Sequence, residues 1–372
     1  MAAAIAAATV LGIVVLRPRG QPDADLGELG IASQVYAATV EGIETGPCPG
    51  TDEADEIRCR LIDVRLLQGP DEGETVTITL SETPSTPAFT PGEEIVLAHT
   101  PGAQEGFDYQ FADRQRRPVL LILFAAFVLV VIVLGGIRGL AALAGLGASV
   151  VLLITFVLPA ILDGHSPLAV AVVGASAIAF LALYLAHGFT LMTTVALLGT
   201  VASLALTTVL AELFVRLAAI TGLATEEAIV VQVGAAEIDL AGLVLGGVVI
   251  GALGAIDDMT VTQSSTVWEL HAANPRLGTS GLFRSGMRVG RDHVASTVNT
   301  LLLAYAGASM PLLLLFVLSH QSLGTVANSE VVATEIVRTF VGSIGLVASV
   351  PITTWLASRV VGSAAEPEAS SA

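Results

Sequence analysis

Residues 242–275 read GLVLGGVVIGALGAIDDMTVTQSSTVWELHAANP, and the fold turns on how this stretch is understood. It begins as an apolar, glycine-rich run and changes character at Asp257 and Asp258, after which hydroxyls, an amide, a glutamate and a histidine follow. At helical spacing, Gly247, Gly251, Gly254, Asp258, Thr262, Ser265 and Glu269 share one face. Small residues let a second helix approach closely in lipid. A carboxylate near the bilayer is costly unless it faces protein or water. The expectation is a membrane helix whose small and polar face points into the protein and carries the function.

The rest of the chain supports the membrane reading. It has 372 residues, 53% of them hydrophobic and only 13% charged, where a soluble domain carries about 25% charged residues. Mean hydropathy is +0.79. The formal charge of -17 is uneven: residues 21–114 hold 19 acidic residues against four Arg, so this segment reads as a water-soluble acidic domain. No basic face exists to meet phosphates, which excludes nucleic acid as a partner. All 16 basic residues are Arg.

Residues 1–16 form an apolar run ending in Arg17-Pro18-Arg19. It is shorter than the roughly 20 residues that span a bilayer, and it reads as an uncleaved anchor helix. Residues 23–113 change period. IRCRLIDVRLL, ETVTITL and EEIVLAH alternate or are β-branched and are separated by Gly/Pro turn signals. With SQVYAATVEGI before and FDYQFAD after, about five strands are expected, enough for a small closed or nearly closed barrel, of which the OB-like barrel is one form. Cys48 and Cys59 lie within this segment. Their spacing leaves both a disulfide and two free thiols open.

From residue 118 onward, membrane spans are expected at 118–136, 140–162, 167–187, 191–215, 241–256, 296–318 and 336–357, eight with the first helix. The domains expected are an anchor helix (1–20), an extracytoplasmic β-rich acidic domain (21–117), a seven-helix membrane bundle (118–362) and a disordered tail (363–372). Arg residues near the spans divide almost equally between the two sides. The loop bearing Arg276, Arg284, Arg288 and Arg291, the cysteine pair and the acidic domain favour the barrel outside.

Two constellations carry the candidate chemistry. Asp257 and Asp258 stand at the edge of low dielectric, and Thr262, Gln263, Ser265 and Glu269 continue the polar run. In GRDHVASTVNTLLLAYAG (290–307), Asp292, Ser296 and Asn299 share one face and His293, Thr297 and Thr300 the next. An Asn two turns into a membrane helix needs a partner, and the stripe on the 241–256 span is the expected one. Pro311 should kink this helix. Thr200, Ser203 and Thr207 share one face, and Gly342, Ser343, Gly345 and Ser349 dot the last span; both groups read as packing. Glu212 and Arg216 make an i,i+4 pair. HExxH, GxSxG, P-loop and GxGxxG motifs are absent, so no catalytic residue, cofactor or metal is expected.

The blocks DDMTVTQSS…EL and GRDHVASTVNTLLLAYAG, with YQFADRQRRP before the second span, resemble the YibE/F family of bacterial multipass membrane proteins. Gly254, Asp257, Asp258, Gln263, Ser264, Ser265, Glu269, Asn274 and Pro275 carry the first block. Gly290, Arg291, Asp292, Asn299, Thr300 and Tyr305 carry the second. The resemblance implies an N-terminal anchor, an extracytoplasmic domain, a helical bundle and residence in the plasma membrane. It brings no catalytic residue and no substrate. The leading expectation is therefore a permease or channel-like transporter of a small solute or ion through a polar path between the 241–256 and 296–318 spans. The alternative is a non-transporting scaffold or sensor whose β-domain binds a partner. The bilayer and a small solute or ion are the expected partners, with homo-oligomerisation left open.

Overall fold

The computed structural model describes residues 1–20, 34–48, 58–101, 108–235 and 237–364. The chain divides into two compact units, residues 24–130 and residues 1–23 with 131–372.

In the first unit five antiparallel strands, β1 (Gln34–Pro47), β2 (Arg58–Leu66), β3 (Thr75–Ser81), β4 (Glu94–His99) and β5 (Tyr109–Arg114), form one sheet in the order β3-β2-β1-β4-β5. The sheet curls, bringing its edge strands β3 and β5 together. Bulges between Val40 and Gly42 and between Val96 and Leu97 add the local bend this needs. Alternate residues face inward, so Ala38, Val40, Ile62, Val64, Leu66, Ile78, Ile95 and Leu97 make the core. The outward face carries cross-strand polar pairs, Arg65 with Glu41 at 2.5 Å and Thr77 with Asp63 at 2.6 Å. Cys48 and Cys59 form a disulfide across the β1–β2 hairpin, with a Cα–Cα distance of 4.9 Å. Gly69 adopts φ +109° beneath Tyr36, whose ring carbons lie 2.9 Å from where a Cβ would sit. Both its conformation and the space therefore demand glycine. His99 stacks on Tyr109 (4.7 Å between centroids), whose hydroxyl donates to Asp71 at 2.6 Å.

In the helical part, α1 (Ala2–Val15) precedes the sheet. After it come α2 (Arg117–Leu152), a π-type turn (Leu153–Val157), α3 (Leu158–Leu162), α4 (Pro167–His187), α5 (Leu191–Leu217) and α6 (Glu226–Gly234). The chain ends with α7 (Leu240–Ala273), α8 (Thr279–Ala308), α9 (Met310–Leu318), α10 (Leu323–Asn328) and α11 (Glu330–Ala364). The helix starts follow capping chemistry. Ser166, Thr190, Thr225, Asp239 and Ser322 each accept a backbone N–H three residues on.

Among the described residues, five helices are long and apolar enough to cross a membrane, or six if the bent pair α8–α9 is one span. This is the helical body of a membrane protein, with fewer spans by this measure than the eight expected. One reason is that α1 has only 14 residues, short of a crossing. The other is that residues 117–162 form one helical stretch of 46 residues where two spans were expected. That stretch is broken at Gly136 (φ 56°, ψ -138°), where two helices join. A Cβ on Gly139 would overlap the Val131 carbonyl, so the backbone doubles back there, since eight residues of continuous helix would separate the two by about 12 Å. The expected kink near Pro311 is present, with α8 and α9 meeting at 63°. The expected tail at 363–372 begins within helix, because α11 runs to Ala364; residues 365–372 lie outside the described set.

The core is the cluster in which α4 and α5 pack on α7 and α11, with Leu183, Leu197, Leu204, Val249, Leu253, Ile256, Met259, Leu346 and Val350 buried. At one end of the bundle Glu330 clamps the turn after α5. Its Oε1 accepts the amides of Thr221 and Gly222, each at 2.7 Å, and the Thr221 hydroxyl at 2.9 Å. Gly222 (φ +81°) presses on the Leu240 backbone. One carboxylate thus ties together the end of α5 and the starts of α7 and α11. Glu212 and Arg216 form the expected ion pair along α5.

Candidate functional site

The burial of α7 reverses one expectation. Its inward face is Leu245, Val248, Val249, Ala252, Leu253, Ile256, Met259, Thr260, Gln263, Ser264 and Val267. Gly247, Gly251, Gly254, Asp258 and Glu269 are exposed, and Thr262 and Ser265 are half-buried. The stripe expected to point into the protein points out of the packed core. Packing explains the rotation: Ile256, Met259 and Leu253 bring large side chains to the interface, whereas glycines bring almost none.

The outward stripe is still not bare. Nη2 of Arg338 lies 3.7 Å from where a Cβ on Gly247 would sit, and the Tyr305 hydroxyl lies 3.1 Å from that position on Gly251. Gly254 has nothing within 4 Å. Beyond the exposed Asp258, Thr262, Ser265, Thr266 and Glu269 line a cleft of about 1070 Å³ with Arg138, His187 and Met192. The cleft thus gathers α2, α4, α5 and α7 where the α4–α5 turn faces the end of α7. It opens beside α4 and α2, where the sequence had placed the polar path between α7 and α8. Neither Asp257 nor Asp258 lines it.

Asp257 instead sits half-buried where α5 meets α7. The Thr200 hydroxyl lies 3.4 Å from its Oδ1 and 2.7 Å from Thr260 Oγ1. One turn on, Gln263 is 1% exposed and joins three helices. Its Nε2 donates to the Gly286 carbonyl of α8 at 2.8 Å and to Thr354 Oγ1 of α11 at 2.7 Å. Ser264 donates to the Met192 carbonyl at 3.0 Å. Glycines make these approaches: a Cβ on Gly286 would lie 2.8 Å from Thr354, and one on Gly290 would lie 2.5 Å from Val350. Small residues at helix contacts and polar bonds between helices are the usual means of holding a bundle in lipid.

That seating of α8 also explains why its polar face misses α7. Asp292, Asn299 and Thr300 are exposed, and Thr300 donates to the carbonyl of Ser296 in its own helix at 3.1 Å. No hydrogen bond joins Asn299 to α7 among the described residues. Gly286 and Gly290 turn their face of α8 onto Val350 and Thr354 of α11, which carries Asn299 outward. Of the two expected constellations the structure keeps the first, splits it between seam and cleft, and leaves the second apart. What the sequence left aside is the share of α11: Thr353 and Thr354 are fully buried and were not singled out. Thr200, Ser203 and Thr207 are fully buried too, and Gly345 makes room for Thr207.

In a scan against family models, the one described as YibE/F-like protein matches residues 123–363. No curated relative and no solved structure matches the chain. The chain belongs to the YibE/F-like family.

Proposed function

We propose that this member of the YibE/F-like family is a permease or channel-like transporter of a small solute or ion, moving its cargo along the outward face of α7. The cleft lined by Thr262, Ser265, Thr266, Glu269, Arg138 and His187 carries this reading. A partly polar cleft of this size at the end of a membrane bundle has room for a hydrated ion or small solute, and polar residues within spans mark such routes. From the cleft the same face continues through Asp258 to Gly254, Gly251 and Gly247, where missing side chains leave room beneath Tyr305 and Arg338. Asp258 is the charged side chain of α7 between the cleft and the glycines on that route, one turn beyond Thr262.

The proposed setting is the plasma membrane with eight crossings, counting the helix pair broken at Gly136 as two, the bent pair α8–α9 as one and the short α1, once packed on α4, as one. The curled sheet is read as an open OB-like barrel on the extracytoplasmic side, where its disulfide would persist. Transport, not catalysis, is proposed, and further copies of the chain remain candidate partners.

The test is flux through the purified protein in vesicles, with cargo candidates screened by class. Asp258→Asn and Glu269→Gln should each alter flux or its ion dependence while leaving protein level intact. Unchanged flux in both would sink the route. The scaffold or sensor reading draws on the cleft's ending short of both aspartates and on the β-domain's forming its own unit. It expects a phenotype lost on deletion of residues 23–113, whereas neutralising Asp257 and Asp258 should merely lower protein level.

A further inference from the structure

The seam between α5, α7 and α11 holds a carboxylate whose surroundings do not balance it. Among the described residues no basic side chain pairs with Asp257. Its Oδ1 has one neighbouring donor, the Thr200 hydroxyl at 3.4 Å. That hydroxyl has a single proton, and it also lies 3.1 Å from the Ala196 carbonyl and 2.7 Å from Thr260 Oγ1. Thr260 in turn donates to the backbone carbonyl of Asp257 at 2.9 Å, so its proton is taken as well. The carboxylate therefore receives one long hydrogen bond at most. A half-buried carboxylate with so few donors gains from a counter-charge placed beside it.

A second observation lies across the seam. Several buried hydroxyls return their proton to a carbonyl of their own helix: Thr207 to Ser203, Ser349 to Leu346 and Thr354 to Val350. Thr353 does not. It is fully buried, and its Oγ1 has no hydrogen-bond partner. It occupies the space above Gly199, where a Cβ would overlap it and would lie 3.4 Å from Thr260 Cγ2. An unpartnered hydroxyl oxygen from α11 thus lies against Gly199, the residue before Thr200, on the side where the Thr260 methyl group also approaches. Ser203, on the same face of α5 as Thr200, is also fully buried and unpartnered.

We propose that this corner binds a dehydrated monovalent cation of sodium's size, held by the Asp257 carboxylate and the hydroxyl oxygens of Thr200, Thr260 and Thr353. Carboxylate and hydroxyl oxygens are hard ligands, suited to alkali and alkaline-earth ions and not to thiophilic metals. One carboxylate balances one positive charge. Asp258 stands about 100° further round the helix and is exposed, so it lends no second charge for a divalent ion. The bound cation would let Thr353 turn its proton elsewhere and would satisfy the carboxylate. It would also link α11 to α5, beside the bond by which Gln263 of α7 already holds Thr354 of α11.

Binding can be read without any transport assay, so this site and the transport reading fail separately. The purified full chain is melted in detergent at constant ionic strength while NaCl replaces choline chloride. The melting temperature should rise and saturate with sodium. Asp257→Asn should melt alike in both salts, Asp258→Asn should keep the sodium response, and Thr353→Val should raise the half-saturating NaCl concentration at least tenfold. Should Asp257→Asn fail to fold, Thr353→Val decides, since it keeps the side-chain shape. Equal melting of the wild-type chain in the two salts would overturn the proposal, as would a sodium response unchanged in Thr353→Val. A melt that follows pH but ignores sodium would overturn it too, showing that a proton neutralises Asp257.

Discussion

Replacing Gly290 by alanine measures how tightly α8 is seated. In an open helix the change should help, because glycine costs about 1 kcal/mol relative to alanine. Here the new Cβ would lie 2.5 Å from Val350 Cγ1 and 2.8 Å from Gln263 Oε1. Neither neighbour can swing aside easily: each is 1% exposed, and Gln263 is held by two hydrogen bonds. Overpacking of this kind costs about 1–3 kcal/mol. Set against the helix gain, the middle of that range leaves an expected loss of about 1 kcal/mol. Equilibrium unfolding in SDS–detergent mixtures would read it, with Trp268 on α7 and Trp355 on α11 as fluorophores. Gly254→Ala is the internal control, since nothing lies within 4 Å of it, and it should be neutral or stabilising. Val350→Ala combined with Gly290→Ala should cost less than the sum of the two, because it removes the clashing atom. A Gly290→Ala protein as stable as the wild type, or a Gly254→Ala protein less stable than Gly290→Ala, would refute this account of the α8–α11 contact.

Reducing Cys48–Cys59, or replacing both by alanine, should destabilise the β-domain by about 3 kcal/mol on the chain-entropy account for a loop of this length, seen as an earlier thermal transition of its far-UV signal. Glu330→Gln should cost about 1–3 kcal/mol by weakening a charged acceptor that serves two amides and a hydroxyl, and limited proteolysis should then cut sooner near Gly222. Burial and the Asp71 carboxylate raise the Tyr109 hydroxyl above its usual value of 10.0, so its contribution is complete below about pH 10 and fades above it as the unfolded chain ionises. Tyr109→Phe should flatten the alkaline limb of the β-domain's stability profile, and an unchanged limb would exclude the assignment.

The strands were legible because their period of two and their Gly/Pro turns survive in any context, and five alternating segments became five paired strands. The expected span starts at residues 167 and 191 fall where Ser166 and Thr190 cap α4 and α5, whereas the short α6, capped by Thr225, was not expected. The rotation of α7 was not legible. Its polar stripe and its apolar face are both regular at helical spacing, and which one turns inward depends on what α4, α5 and α11 present. The exposed position of Asn299 was hidden for the same reason, since Gly286 and Gly290 set it through a helix 60 residues further on. Thr353 left no local mark at all, because a threonine in an apolar helix looks alike whether it serves its own carbonyl or a neighbour's site.

The contact between α1 and the bundle has a consequence for how the chain is made. Gly12 meets Val173 of α4, and the amide of Arg19 donates to Asp163, 144 residues later, at 3.1 Å. At roughly 5–20 residues per second, a ribosome needs on the order of 7–30 s to supply that partner. For this interval α1 is a lone 14-residue apolar helix, too short to rest stably across a bilayer by itself. The β-domain is complete well before α4 emerges, so its disulfide can close while α1 is still undocked. The first helix therefore finds its place only after the β-domain and α2, and early steps of synthesis depend on whatever shelters it until α4 and α5 arrive.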